Sequence, residues 1–332
     1  MRICGRRFVC SGRSWGFRDG EMGRDLMELD KQVCPNSAEE IFIRRTIKQY
    51  FGKKAASGVL LPLKAGMTND SFLFDVQGKK YIFRCNGKGT ELLIDRENEK
   101  AVYEMLRCTD ITEDIVALSI EPGYKISRYY EDSRVCDPMN MDEVHSCMKA
   151  LRSFHELRLC GASKFNPFEA VIHYEEVLNG GGNVCSEYMS IRDAVFSLRP
   201  FLAPFLENRD TLCHIDSISD NFLFVEGRES PYLIDWEYAA CSDPLVDVAM
   251  FAIYANYAEA ETTQLLAGYF PEGVDEQIKA RVYAYMAVGG LLWSLWCAYK
   301  SSLGTSFGVY AENQLRFAKT YPAKVHDLLG DM

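Results

Sequence analysis

Apolar positions recur every three or four residues over the longer stretches of the chain and alternate over shorter ones, and the two periods predict helices and strands. From about Glu21 to Tyr50 the spacing is helical, with Ile43, Ile47 and Phe51 four apart near and just past its end and Glu39, Glu40, Arg44 and Arg45 facing water. The apolar run Gly58 to Leu63 then leads to a hairpin closed by Gly66, Thr68 and Asn69. Ser71 to Val76 and Lys80 to Arg84 are strand-like runs about a Gln77-Gly78 turn. A helix from Arg96 to Arg107 follows, then strands at Ile115 to Ile120 and Tyr124 to Tyr130. Asp137 to Asn140 opens a helix, with Asn140 and Glu143 at capping-box spacing and Met141, Val144, Met148 and Leu151 on one apolar face. His155 ends that face as a packing residue. Gly180-Gly-Gly182 is a loop, and Ser190 to Leu206 is a helix interrupted or ended near Pro200 and Pro204.

The stretch Thr211 to Val225 begins apolar, puts His214 and Asp216 on a short connector, and reaches Asn221 just before Phe222 to Val225. Gly227 and its charged neighbours turn the chain, and a second apolar run, Tyr232 to Ile234, ends at Asp235. Two short strands so joined hold Asn221 and Asp235 near one end of a hairpin. A carbonyl oxygen and a carboxylate are the hard ligands magnesium prefers. Asp216, on the connector, is placed to take a proton from a hydroxyl. Glu237 points to the same side as Asp235 if both belong to the strand end. No Gly-x-Ser-x-Gly elbow is present, so Ser217 and Ser219 are not read as nucleophiles.

Val282 to Tyr299 is a run of 18 residues without a charge, the lower limit for crossing a membrane. Gly289-Gly290, three tyrosines and the lack of a second such run favour a buried helix over stable membrane insertion. Trp293 and Trp296 share a helical face. Such a pair is core, or, as two facing indoles, encloses a quaternary ammonium.

With 332 residues the chain can form two lobes meeting at a cleft. A formal charge of -10 argues against a nucleic-acid partner and suits a cationic substrate. The 12 cysteines are scattered with no Cys-x-x-Cys, as expected of reduced thiols in a cytoplasmic protein. Residues 1 to 23 are basic without an apolar core, which reads as a loosely packed leader and not a signal peptide.

His214-x-Asp216-x4-Asn221 followed by Asp235-Trp236-Glu237 resembles the catalytic and metal-binding loops of the kinase-like phosphotransferases, most closely the choline and ethanolamine kinases of the LicA type. The resemblance implies an α+β, bilobal protein-kinase-like fold with an antiparallel-sheet small lobe and a mostly helical large lobe. Residues 1–40 would be a leader and the start of the N-terminal helix, 41–130 the small nucleotide-binding lobe and hinge, and 131–332 the large catalytic and substrate-binding lobe. Ala65 to Ser71 is similar to the family's nucleotide loop, which puts Gly66, Thr68, Asn69 and Ser71 near ATP. Arg84 corresponds to the basic residue on the phosphates, steadied by a helical glutamate for which Glu99 is chosen over Glu97. Arg128, Tyr129 and Tyr130 fall at the hinge that meets adenine through backbone groups.

By the same resemblance Asp216 is the base on the substrate hydroxyl, His214 its structural support, and Asp247 a brace for the catalytic region. A first-turn carboxylate capping its own helix is the competing reading of Asp247. Asn221 and Asp235 would hold Mg2+, with Glu237 in a direct or water-mediated role. Trp293-Ser-Leu-Trp296 resembles the paired tryptophans of choline kinases, with Tyr238 and Tyr254 as further walls. The expected activity is an ATP-dependent choline kinase. The alternatives are a kinase of ethanolamine or another small amino alcohol, and a nucleotide-binding pseudokinase. The oligomeric state stays open.

Overall fold

A computed structural model describes residues 37–63, 69–87, 90, 94–178, 184–207 and 210–330. The described chain begins with helices α1 (Ser37–Phe51) and α2 (Lys53–Ala56), then strands β1 (Leu61–Pro62), β2 (Asn69–Val76) and β3 (Lys79–Asn86). Gln77 and Gly78 join β2 to β3 with positive φ at both positions, 55° and 81°, the turn whose twist matches the flanking strands. That turn sets Phe72 opposite Phe83 and Ser71 opposite Arg84. Helix α3 (Arg96–Leu106) precedes β4 (Ile115–Ser119) and β5 (Tyr124–Arg128). The five strands form one antiparallel sheet in the order β1-β2-β3-β5-β4. Phe72, Phe74, Phe83 and Ile126 on the sheet pack with Ile43 and Ile47 of α1 into a small core.

Helix α3 does not share that core. Its apolar face, Val102, Tyr103 and Leu106, joins the larger core, and Asn98 donates from its side chain to the Ala239 carbonyl at 2.8 Å. The helix was expected from the sequence, but its partner is the helical lobe and not the sheet's own core.

Strand β6 (Ser133–Val135) leads to α4 (Met141–His155), α5 (Pro167–Val177), α6 (Tyr188–Phe196) and α7 (Arg199–Glu207). Asn140 caps α4 by accepting from the Asp142 N–H at 3.2 Å. Glu143 does not complete a capping box. It takes the Asp137 N–H and the Asn140 side-chain amide instead. The helix expected from Ser190 to Leu206 is two helices, parted at Ser197-Leu198. Pro200 falls in the first turn of α7, where it loses no hydrogen bond, and Pro204 lies inside that helix.

Strands β7 (Thr211–Cys213), β8 (Phe222–Val225), β9 (Tyr232–Leu233) and β10 (Ala240–Ser242) complete the strand set as a β10-β7 ribbon and a β6-β8-β9 sheet. Four helices follow: α8 (Leu245–Tyr254), α9 (Glu259–Tyr269), α10 (Glu276–Ser302) and α11 (Val309–Gly330). Helix α10 is long and apolar enough to cross a membrane, yet 89% of its most apolar window is buried within the protein. It runs through the centre of the larger core, with α8 on one side and α11 on another. A Cβ on Gly290 would stand 2.5 Å from the Gln314 carbonyl oxygen, so only glycine lets α11 approach this closely.

Candidate active site

The connector after β7 is held by one buried carboxylate. Asp247 accepts the backbone N–H groups of His214 and Ile215, both at 2.7 Å, and its own carbonyl accepts from Ser217 Oγ at 2.6 Å. It therefore braces the loop and does not cap its own helix. Ile215 is forced to φ 68°, a conformation that a β-branched residue keeps only where its surroundings over-determine it. His214 Nε2 donates to the Ile234 carbonyl at 2.9 Å, and its ring lies 4.7 Å from that of Trp236. Burial lowers its pKa, so the ring is a neutral strut between connector and hairpin. His155 is more than packing: its Nε2 lies 3.0 Å from Asp247 Oδ2 and its Nδ1 2.8 Å from the Tyr269 hydroxyl.

Pairing of Phe222 with Leu233, and the Ile234 N–H on the Asn221 carbonyl at 2.9 Å, bring Asn221 and Asp235 to one end of the hairpin. The Asn221 amide nitrogen donates to the Asp216 backbone oxygen at 2.8 Å and its carboxylate at 3.3 Å. Its Oδ1 accepts no hydrogen bond among the described residues. The same-side argument for Asp235 and Glu237 fails, because β9 ends at Leu233. Asp235 takes a left-handed conformation with φ 67°, and Trp236–Tyr238 is one 3-10 turn. Asp235 is thereby partly open and Glu237 buried.

Arg84 on β3 reaches across the lobes. It bonds Glu99, donates to Asp235 Oδ1 at 2.6 Å, and lies 3.5 Å from Glu237. Glu97 is exposed and takes no part. Two cations were missed in the sequence. Arg96 Nη1 donates to Glu99 at 2.7 Å and to Glu237 at 3.0 Å, and its i,i+3 spacing to Glu99 was the available signal. Lys125, on the buried face of β5, bonds Tyr103 and Glu113 and lies 4.0 Å from Asp235. Burial opposes ionisation of Asp235, but Arg84 and then Lys125 hold its pKa below the ordinary value. Glu237 is pushed up by burial and then by Asp235, while its Oε2 accepts from Asn69 at 2.9 Å as well as from Arg96. Asp216 is raised well above the ordinary value by burial, then by Asp235 and Glu237.

Of the residues expected near the nucleotide, Gly66 and Thr68 lie outside the described residues, and Asn69 and Ser71 open β2, where Asn69 bonds Glu237. At the hinge the Arg128 N–H goes to the Asp114 carbonyl at 2.9 Å and the Tyr129 N–H to Lys80 at 3.0 Å, so neither is left to meet a base. The Tyr130 ring lies 5.2 Å from that of Tyr232.

Trp293 and Trp296 meet at 5.8 Å and 77°, edge to face, so they are not two facing plates. Tyr238 packs edge-on to Trp293 at 5.8 Å and accepts from Trp296 Nε1 at 3.2 Å, making a three-ring cluster. Tyr254 is not in direct ring contact with it. Its hydroxyl donates to Asp220 at 2.9 Å, and it connects to the tryptophans through Tyr310 and Phe307, two residues the sequence reading missed.

The donor set fits magnesium. Asn221 Oδ1 and the carboxylates of Asp235 and Glu237 are hard oxygen ligands, carried by the hairpin end and the 3-10 turn that follows it. Around them three cations, Arg84, Arg96 and Lys125, answer four carboxylates, Glu99, Glu113, Asp235 and Glu237. A divalent ion would offset that deficit.

A family model described as choline/ethanolamine kinase matches residues 60–267. Protein LicA of Haemophilus influenzae is 26% identical over 264 residues, 75% of this chain and 76% of its own. The choline kinase LicA from Streptococcus pneumoniae superimposes with a TM-score of 0.74 at 29% identity, covering 87% of this chain and 100% of that one. A LicA structure in complex with AMP gives 0.70 at 29% identity over 87% and 99% of the two chains. Matched by that model over more than half its length, and carrying a sheet lobe and a helical lobe that meet at the Asp216–Asp235 cluster, the chain belongs to the choline/ethanolamine kinase family.

Proposed function

We propose that this chain transfers the γ-phosphoryl group of ATP to the hydroxyl of choline, giving ADP and phosphocholine. One observation carries the reading: a single 3-10 turn puts Glu237 among the phosphate-side cations and Tyr238 in the aromatic cluster, with Asp216 electrostatically close to both. The turn thus spans the distance between the phosphoryl donor and an alcohol held by its ammonium end.

Asp216 accepts the hydrogen bond of the choline hydroxyl and takes its proton as the new P–O bond forms. Its raised pKa makes it a stronger base than an ordinary carboxylate. The Asn221 amide nitrogen fixes its orientation. Arg84, turned from Asp235 toward the nucleotide, places positive charge on the phosphates, and Glu99 keeps it at the junction. Asn221, Asp235 and Glu237 would hold magnesium, which when bound draws negative charge from the transferring group. Tyr238, Trp293 and Trp296 receive the trimethylammonium, which has no N–H to donate and is attracted to ring faces and nearby carboxylates. Holding both ends of a short alcohol fixes its hydroxyl within reach of the phosphoryl group.

The test is to incubate the protein with magnesium and ATP, and with choline or ethanolamine in separate reactions, and to identify the product by mass spectrometry. Phosphocholine formed with the higher kcat/KM supports the assignment. Preferential phosphoethanolamine moves it to the primary amine, and no product from either, despite magnesium-nucleotide binding, removes it.

A further inference from the structure

Arg96 stands in the first turn of α3, where a charged side chain ordinarily faces water. Here it is 13% exposed, and its guanidinium touches four segments. Nη1 donates to Glu99 Oε2 at 2.7 Å within α3 and to Glu237 Oε2 at 3.0 Å on the catalytic turn. Nη2 donates to Asn69 Oδ1 at 3.3 Å at the start of β2 and to Thr90 Oγ1 at 3.2 Å in the β3–α3 connection. Asn69 closes the circuit by donating to the same Glu237 oxygen at 2.9 Å.

Glu99 and Glu237 are both nearly fully buried, and each also answers Arg84. Arg84 cannot neutralise them fully while it contacts nucleotide phosphates. A buried carboxylate that loses its cation is strongly destabilised. Among the described residues, Arg96 is the other cation bonded to both, and its planar fork serves two acceptor sides at once, which a lysine ammonium does only loosely.

We propose that Arg96 is a positioning residue that fixes Glu237 relative to Glu99 and Asn69 and keeps the two buried carboxylates compensated when Arg84 turns to the nucleotide. This rests on the magnesium-ATP kinase reading given above. It predicts that Arg96 sets magnesium-nucleotide affinity without contacting the nucleotide, and that it leaves recognition of the alcohol alone, since its side chain bonds Glu99, Glu237, Asn69 and Thr90 and none of the aromatic cluster.

The experiment compares wild type, Arg96→Lys and Arg96→Met by calorimetric titration with ADP at several magnesium concentrations, alongside steady-state kinetics. Loss of a partner that orients a metal ligand costs about 10- to 100-fold in metal affinity. Arg96→Met is therefore expected to weaken magnesium-ADP binding and raise the KM for magnesium-ATP by that order. Excess magnesium should restore much of the loss, Arg96→Lys should fall between, and the KM for choline should stay unchanged. A uniform loss of kcat at all magnesium concentrations with normal ADP affinity overturns the proposal. If both variants lose their melting transition, Asn69→Ala and Thr90→Ala carry the test, and unchanged magnesium affinity in both overturns it. Because calorimetry needs no turnover, absence of phosphorylated alcohol from wild type removes the choline assignment while the Arg96 result still stands or falls on its own.

Discussion

Asp247 Oδ1 accepts the backbone N–H of Ile215 at 2.7 Å, and that bond holds the residue between His214 and Asp216 in a left-handed conformation. The connector that carries Asp216 is thus shaped from beneath by a carboxylate 32 residues later in the chain than Ile215. Its other oxygen takes the His214 N–H and faces His155, so the carboxylate is saturated by buried donors.

Replacing Asp247 by alanine strands these donors in the core. Leaving a buried polar network without one partner costs on the order of 3–5 kcal/mol. Asp247→Ala should lower unfolding stability by that order in denaturant titrations and abolish turnover, because Ile215 relaxes and carries Asp216 with it. A stability loss under about 1 kcal/mol would show that solvent reaches the loop and that the brace is dispensable.

Asp216→Asn should separate activity from stability. Turnover falls at least about 100-fold, the contribution of a positioned base, while nucleotide binding persists. The folded pKa of Asp216 lies above its unfolded value, so the unfolded chain gives up this proton first. The stability of the protonated form is therefore lost as pH rises from the ordinary carboxylate range through the raised folded value. Above the ordinary carboxylate range this shift costs the fold stability, and the asparagine variant, which has no such proton to lose, should melt at an equal or higher temperature. A variant both inactive and clearly less stable would point to a structural role.

The same shift sets the pH profile. Asp216 must be ionised to accept a proton, so activity is lost as pH falls through its folded pKa. Choline has no titrating ammonium, so at saturating magnesium-ATP an acid limb in its kcat/KM belongs to the enzyme–nucleotide complex. The limb should lie above the ordinary aspartate value of about 4. Higher magnesium should move it down, since added positive charge opposes the effect of Asp235 and Glu237. A limb at the ordinary value, insensitive to magnesium, contradicts the environment found for Asp216.

For the aromatic cluster the expectation concerns KM. A desolvated cation over an indole is worth about 2 kcal/mol, or roughly 30-fold. Trp293→Ala and Trp296→Ala should each raise the KM for choline by that order and leave the KM for ATP near normal. Tyr238→Phe keeps a ring but removes the acceptor of Trp296 Nε1, so only a few-fold rise is expected. Equal rises for choline and ATP would mean that the truncations loosen the lobe junction and not the ammonium site.

The hairpin was legible because its chemistry is local: His214, Asp216 and Asn221 stand at short spacing, and the turn returns Asp235 to Asn221. Arg84 and Glu99 were legible only through the family resemblance, which pairs a basic strand residue with a helical glutamate; their contact is what the structure adds. Arg96 was not, since a charged residue in a first helical turn reads as solvated unless its tertiary partner is known. The partner of α3 was hidden for a related reason: periodicity identifies an apolar face but not what covers it. The tilt of Trp293 against Trp296 and the arrival of Phe307 and Tyr310 depend on how α11 folds back on α10, a relation no spacing within α10 contains.

That return is testable at two adjacent glycines. A Cβ on Gly290 would meet the Gln314 carbonyl oxygen at 2.5 Å, Phe317 Cβ at 2.8 Å and the Ala318 nitrogen at 3.0 Å, mostly backbone that cannot yield without moving α11. A Cβ on Gly289 would meet Met250 Cε at 3.0 Å and Ile253 Cδ1 at 3.1 Å, ends of side chains that can rotate. Overpacking a rigid site costs about 1–3 kcal/mol, whereas alanine in place of a helical glycine returns up to about 1 kcal/mol. Gly290→Ala should therefore lower the melting temperature and, by displacing Phe307 and Tyr310 with α11, raise the KM for choline. Gly289→Ala should be near neutral in stability. Equal melting temperatures for the two variants would show that α11 is not held against α10 by the absence of a side chain at position 290.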